Sequence, residues 1–136
     1  LKNGYLTVPL EGKVSEDNCE EAVKQSLRHW YQTKALVKLK EKTKRYAGIL
    51  RVYPQSVDVK EYKARWGSCS SSGDVTYNWR IIIAPHHIVD YIVVHELCHL
   101  LEHNHGPKYW RHVQNIIPDY KDCREWLRVN GSTLTV

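Results

Sequence analysis

The run His95-Glu96-Leu97-Cys98-His99 places two imidazoles four residues apart, with a carboxylate beside the first. On a helix, residues i and i+4 share one face, so both rings can reach a single cation. Glu96 is offset by one residue, which lets its carboxylate approach a water on that cation without ligating it. Two ligands from one helix leave a tetrahedral site incomplete. A third must come from another element, with the fourth position left open for water. Seven of the eight histidines lie between His86 and His112, and a chain of this composition yields His-Glu-x-x-His by chance only about 0.03 times.

His105 is the third ligand this spacing favours. It lies beyond the expected helix end and just before Gly106-Pro107, where the chain can turn back. His103 would extend the same helical face if the helix continued, and Glu102 would offer oxygen rather than nitrogen. Two other metal readings stay open. A structural zinc site would use four protein ligands, with Cys98 or Cys69 among them, and iron or nickel would tolerate similar spacing. A metzincin site is excluded, because Glu102 stands where that pattern needs Gly and the chain has no methionine for a Met-turn.

The chemistry expected of such a centre is peptide-bond hydrolysis; the alternative is a metal-binding or nucleic-acid-associated accessory domain with weak or gated hydrolytic activity. Zinc lowers the pKa of water from 15.7 to about 7 and polarises a carbonyl, and Glu96 would act as general base. Tyr109, His112 and Tyr91 are candidates to hydrogen-bond the developing oxyanion. Trp66, Gly67 and Ser68 could present a strand edge to an extended peptide, although Trp66 and Trp79 equally suit a sheet core. Asp90 and Asn78 could orient an imidazole; capping or exposure is the simpler role for Asp90.

The elements that must position these residues are legible from periodicity. Tyr5 to Leu10 reads as a short strand or arm, and Ser15 or Asp17, with Glu20 three residues on, as a helix N-cap. From there to about Tyr46, Val23, Leu27, Trp30, Tyr31, Leu36, Leu39 and Tyr46 recur at helical spacing, with Lys34, Lys38, Lys40, Lys42, Lys44 and Arg45 on the polar side. Ser56 to Lys60 alternates like a half-buried strand. Ala64 to Cys69 and Val75 to Ile81 flank the turn cluster Ser70 to Asp74 and predict an antiparallel hairpin. Pro85 opens a buried helix carrying the motif, Pro107 opens another that ends before Pro118, and a short helix around Cys123 to Val129 closes the chain. The expected fold is α+β: a long N-terminal helix, a small antiparallel β-sheet, the motif helix and C-terminal helices, in one domain over residues 1–136.

The 136 residues are 42% hydrophobic and 26% charged, which excludes collagen-like, low-complexity and wholly disordered chains. The most apolar stretch, Ile81 to Leu101, carries too many His, Asp and Glu side chains for a membrane span. The chain begins with Leu, so its native start is expected to be missing. Cys19, Cys69, Cys98 and Cys123 form no Cys-x-x-Cys pair, so free thiols and a cytoplasmic location are expected. The net charge of +5 is concentrated in residues 34–65, where ten Lys and Arg face three Asp and Glu. That segment could attract nucleic acid or an acidic partner; a solvated helix face explains it without one, and no nucleic-acid motif accompanies it.

Taken together, Arg65-Trp66-Gly67-Ser68-Cys69-Ser70, Asn78-Trp79-Arg80, Ala84-Pro85, Asp90 to Leu100 and Asn104-His105-Gly106-Pro107-Lys108-Tyr109-Trp110 resemble the YgjP-like family of small zinc metallopeptidases. Trp30-Tyr31 and Pro118-Asp119-Tyr120 fit as well. A more distant similarity is to SprT-like proteins. The resemblance implies a minimal zincin-like fold acting on peptide or protein substrates, Zn2+ on His95, His99 and His105, and Glu96 as catalytic residue. Tyr109 departs from the Phe more usual there. The DNA-associated role of SprT-like proteins is not carried over, since their additional DNA-binding module is not evident.

Overall fold

A computed structural model describes residues 16–134. The expected strand at Tyr5 to Leu10 and the Ser15 cap lie outside the described residues. Helix α1 spans Glu16–Leu50, so Asp17 lies inside the helix, which also runs past Tyr46 through Gly48. Its second half is the packed half. Ala35, Leu39, Thr43, Tyr46 and Ala47 are buried, at the i, i+4, i+8, i+11, i+12 spacing of one face. The helix stops at Arg51, whose φ of 59° is left-handed, and the Val52 N–H donates to the Ala47 carbonyl at 3.0 Å. This is a Schellman ending made without glycine.

Three strands follow: β1 (Ser56–Lys60), β2 (Gly67–Cys69) and β3 (Asp74–Asn78). The hairpin expectation holds for β2 and β3, which pair antiparallel with Gly67 opposite Tyr77 and Ser68 opposite Thr76. Gly73, with φ of 93°, supplies the left-handed residue its turn requires. The sheet is nevertheless mixed rather than antiparallel throughout. Its order is β1-β3-β2, and β1 runs parallel to β3. The strand β3 inserts between its two predecessors, and each of them is left at an edge. The strand expected to reach Ile81 ends at Asn78, where the Asn78 carboxamide oxygen accepts from the Arg80 N–H and starts a 3-10 turn, Trp79–Ile83.

Helix α2 (His86–Leu97) begins after Pro85. Eight of its residues are buried, from Ile88 to Leu97, so it is the central element of the core. After Leu97 the chain tightens into a 3-10 turn, Cys98–Leu100. Helix α3 (Pro107–Ile116) starts at the predicted proline, and α4 (Tyr120–Asn130) follows.

Two polar ties join α1 to the rest. Thr43 and Tyr77 share a buried hydroxyl hydrogen bond of 2.8 Å, and Lys42 Nζ meets Asp90 Oδ1 at 2.6 Å. Lys42 therefore leaves the solvated basic face, and Asp90 anchors α2 to α1 instead of orienting an imidazole. Among the described residues, no helix is long and apolar enough to cross a membrane.

Candidate metal centre

The motif straddles a boundary in the backbone. His95 and Glu96 lie in the last turn of α2, and His99 lies on the 3-10 turn that follows. The chain then breaks over residues 101–106 and delivers His105 from an exposed position just before α3. One nitrogen from each of His95, His99 and His105 lies within 4.8 Å of the other two. His99 Nε2 and His105 Nε2 are 2.9 Å apart, so an N–H of one ring donates to the bare nitrogen of the other. Desolvation of the ring holds both of these imidazoles below the ordinary histidine pKa, only in part at His105, whose residue stays largely exposed. The Glu96 carboxylate opposes that shift at His99, while neighbouring imidazoles add to it at both rings. Neutral imidazole is the ligating form.

No cysteine sulfur joins this group among the described residues. Cys98 is fully buried and its thiol is pushed up to about 12 by desolvation, as suits plain core. His103 and Glu102 do not enter the cluster.

Glu96 is buried, with Oε2 at 3.3 Å from Nδ1 of His95. Its other neighbour is the backbone of β2. A Cβ on Gly67 would sit 3.0 Å from both Cγ and Oε2 of Glu96, and 3.1 Å from the Thr76 carbonyl oxygen. Glycine at position 67 is what allows the edge strand to lie this close to the carboxylate.

The other sequence-predicted residues divide. Tyr109 is fully buried, and its hydroxyl donates to the backbone carbonyl of His95 at 2.6 Å. It therefore stands behind the turn that carries His95 as a brace, its one proton already committed. Its ring also packs against His99 and His105, with centroids 4.8 and 4.7 Å away. His112 is half-buried on α3 and is not brought into the cluster. The Ser68 hydroxyl pairs with Tyr62 at 2.9 Å. Asn78 donates to the Tyr62 and Arg65 carbonyls at 3.2 and 3.1 Å, which fastens the 61–66 loop and leaves its amide nitrogen turned away from the histidines. Trp79 is fully buried and stacks on Tyr31 at 6.1 Å, a core aromatic, whereas Trp66 remains half-buried.

Trp66 and Gly67 form one wall of a cleft of about 360 Å³ that opens beside His95 and Glu96. Helix α4 lines it too, through Arg124, Leu127 and Arg128. Nothing in the sequence around α4 marks these residues. Their shared face, at i, i+3 and i+4, acquires meaning only once α4 is packed against α2.

A comparison with curated proteins finds no match. Two solved structures share the fold. The metallopeptidase zymogen abylysin of Pyrococcus abyssi is 21% identical, with a TM-score of 0.61 over 69% of this chain and 93% of its own. The metallopeptidase zymogen jannalysin of Methanocaldococcus jannaschii is 22% identical, with a TM-score of 0.51 over 57% of this chain and 79% of its own. The sequence profile of the YgjP-like metallopeptidase domain matches residues 3–130, nearly the whole length, and the chain therefore belongs to the YgjP-like metallopeptidase family.

Proposed function

We propose that this protein hydrolyses peptide bonds in peptide or protein substrates at a zinc ion held by His95, His99 and His105, with Glu96 as general base. The observation that carries this reading is the convergence of three imidazole nitrogens within 4.8 Å, against which the buried Glu96 carboxylate is set. The donor set fits. Zinc takes imidazole nitrogen at about 2.0–2.1 Å, so tetrahedral ligands lie about 3.4 Å apart, which small ring movements reach from here. Three neutral nitrogens complete a catalytic rather than a structural ligand set. Bound there, zinc supplies Lewis acidity toward a water and a substrate carbonyl.

The remaining work belongs to the chain. Glu96 accepts the proton of the attacking water and passes it to the departing amine nitrogen. Its burial leaves the carboxylate few solvent partners, and Gly67 leaves it room. The substrate would lie along β2. In an antiparallel pair, residues alternate between facing the partner strand and facing away. The Asn78 N–H donates to the Trp66 carbonyl at 2.8 Å, so Trp66 and Ser68 face β3 through their backbone groups. Gly67 and Cys69 consequently turn theirs to the outer edge, where an extended peptide can add main-chain hydrogen bonds. Trp66, Gly67 and Ser68 are thus the proposed substrate-contacting segment. The four free cysteines support a reducing, cytoplasmic location.

The test is Glu96→Gln. Elemental analysis should find the same zinc content as wild type, and peptide hydrolysis should fall by about 10²–10⁴-fold, the usual worth of a general base. Unchanged hydrolysis in that variant refutes the assignment of Glu96, and loss of activity on chelation with recovery on zinc addition supports the ion.

A further inference from the structure

The cleft beside Glu96 has a composition that the hydrolytic chemistry does not use. Its floor is apolar, with Tyr91, Ile92 and Leu127, and its rim carries three arginines, Arg65, Arg124 and Arg128. Glu96 is the sole carboxylate in its lining. Arg128 is paired with Glu125, which contacts it at 3.0 Å through Nε. Arg65 and Arg124 have no carboxylate partner within ion-pair distance among the described residues.

Arg124 is also held in place. Its guanidinium lies over the ring of Trp110, 4.8 Å from the centroid, and Trp110 stacks on Tyr120 at 5.0 Å with 15° between the planes. A guanidinium lying on an aromatic face keeps its N–H edge free for a planar acceptor. Ordering this side chain in advance lowers the entropy lost when it binds an anion.

We infer that this cleft is a specificity pocket for a carboxylate of the substrate, positioned next to the scissile bond by Arg124 and Arg65. The inference rests on the peptidase reading above and adds the substrate class to it. An aliphatic stem would cover Ile92 and Leu127, and a carboxylate at its end would meet the arginine rim in the bidentate geometry guanidinium favours. Two sources supply that chemistry, a Glu or Asp side chain flanking the cleaved bond and the α-carboxylate of a chain end.

The experiment uses matched peptides that differ only by Glu against Gln at one position, scanned across both sides of the scissile bond. A second set carries a free or an amidated C-terminus. Cleavage is followed directly, and binding to the metal-free protein is followed by the fluorescence of Trp66 and Trp110. The carboxylate peptide of one pair should be preferred by about tenfold or more in kcat/KM and in binding, with the preference shrinking as salt rises. Preference confined to the Glu/Gln pair identifies a side-chain pocket, and preference confined to the acid/amide pair identifies a chain-end pocket. Arg124→Gln and Arg65→Gln should each bring the ratio toward one, while Arg124→Lys should retain part of it. Equal binding of all pairs up to millimolar concentration overturns the inference, whether or not any peptide is cleaved. A binding preference without cleavage of any peptide upholds it and removes the peptidase reading instead.

Discussion

Gly67 and Glu96 face each other across the gap between the edge strand and the motif helix, where a Cβ on residue 67 would lie only 3.0 Å from Cγ and Oε2 of the carboxylate side chain. The buried Glu96 carboxylate is therefore placed by a residue that has no side chain of its own.

Gly67→Ala tests this placement. The new methyl would press on Cγ and Oε2 of Glu96 and on the carbonyl oxygen of Thr76, a backbone atom that cannot move cheaply. Overpacking of this kind costs about 1–3 kcal/mol of stability. The larger effect should be on turnover, with a loss of about tenfold at unchanged zinc content, because even a carboxylate pushed aside by a few tenths of an ångström transfers its proton less well. Urea denaturation, elemental analysis and peptide hydrolysis on one preparation separate the three quantities. Wild-type turnover in this variant would show that the contact is irrelevant to the chemistry.

Tyr109→Phe removes one buried hydroxyl and nothing else. Its hydrogen bond to the His95 carbonyl braces the turn from which His95 points. A net loss of about 1 kcal/mol is expected, together with weaker zinc retention in competition with a chelator. Turnover per bound zinc should be nearly preserved, since the hydroxyl proton is already committed to the backbone. A large fall in turnover at full zinc occupancy would place the hydroxyl in the reaction instead.

Stability should decline as pH rises above 9. Burial pushes the thiols of Cys69, Cys98 and Cys123 up from 9.0 to about 11, 12 and 11. Between those limits the unfolded chain releases protons that the native chain retains. The native state therefore binds more protons, and unfolding becomes easier with each step in pH. This contribution is fully present below 9 and is lost as pH climbs through the native values. Tyr77, Tyr91 and Tyr109, also held protonated by burial, steepen the fall above 10.0. Denaturation midpoints across pH 8 to 10.5 should show the slope, and Cys98→Ala should flatten it.

Much of the candidate site was legible because the histidine cluster is written in local spacing. His95, Glu96 and His99 are fixed relative to one another by a single turn of helix, and Gly106-Pro107 marks where the chain resumes after His105. The hairpin was legible for the same reason, its turn residues being contiguous. What escaped depends on direction and distance between elements. An alternating strand such as Ser56 to Lys60 carries the same pattern whether its neighbour runs parallel or antiparallel, so the β1-β3-β2 order was not readable. Lys42 and Asp90 are 48 residues apart, and no local signal distinguishes this lysine from the solvated ones beside it. Tyr109 has the donor a reaction would want, yet burial turned it to the backbone.

The break after Leu101 has one further consequence. Two histidines are set by a core helix and its closing turn, but the third is delivered by a short exposed segment that contributes little to the core. Lengthening that segment would add only a small closure entropy to folding while moving His105 away from its companions. Assembly of the fold and convergence of the three imidazoles are thus separable properties of this chain, each adjustable without the other.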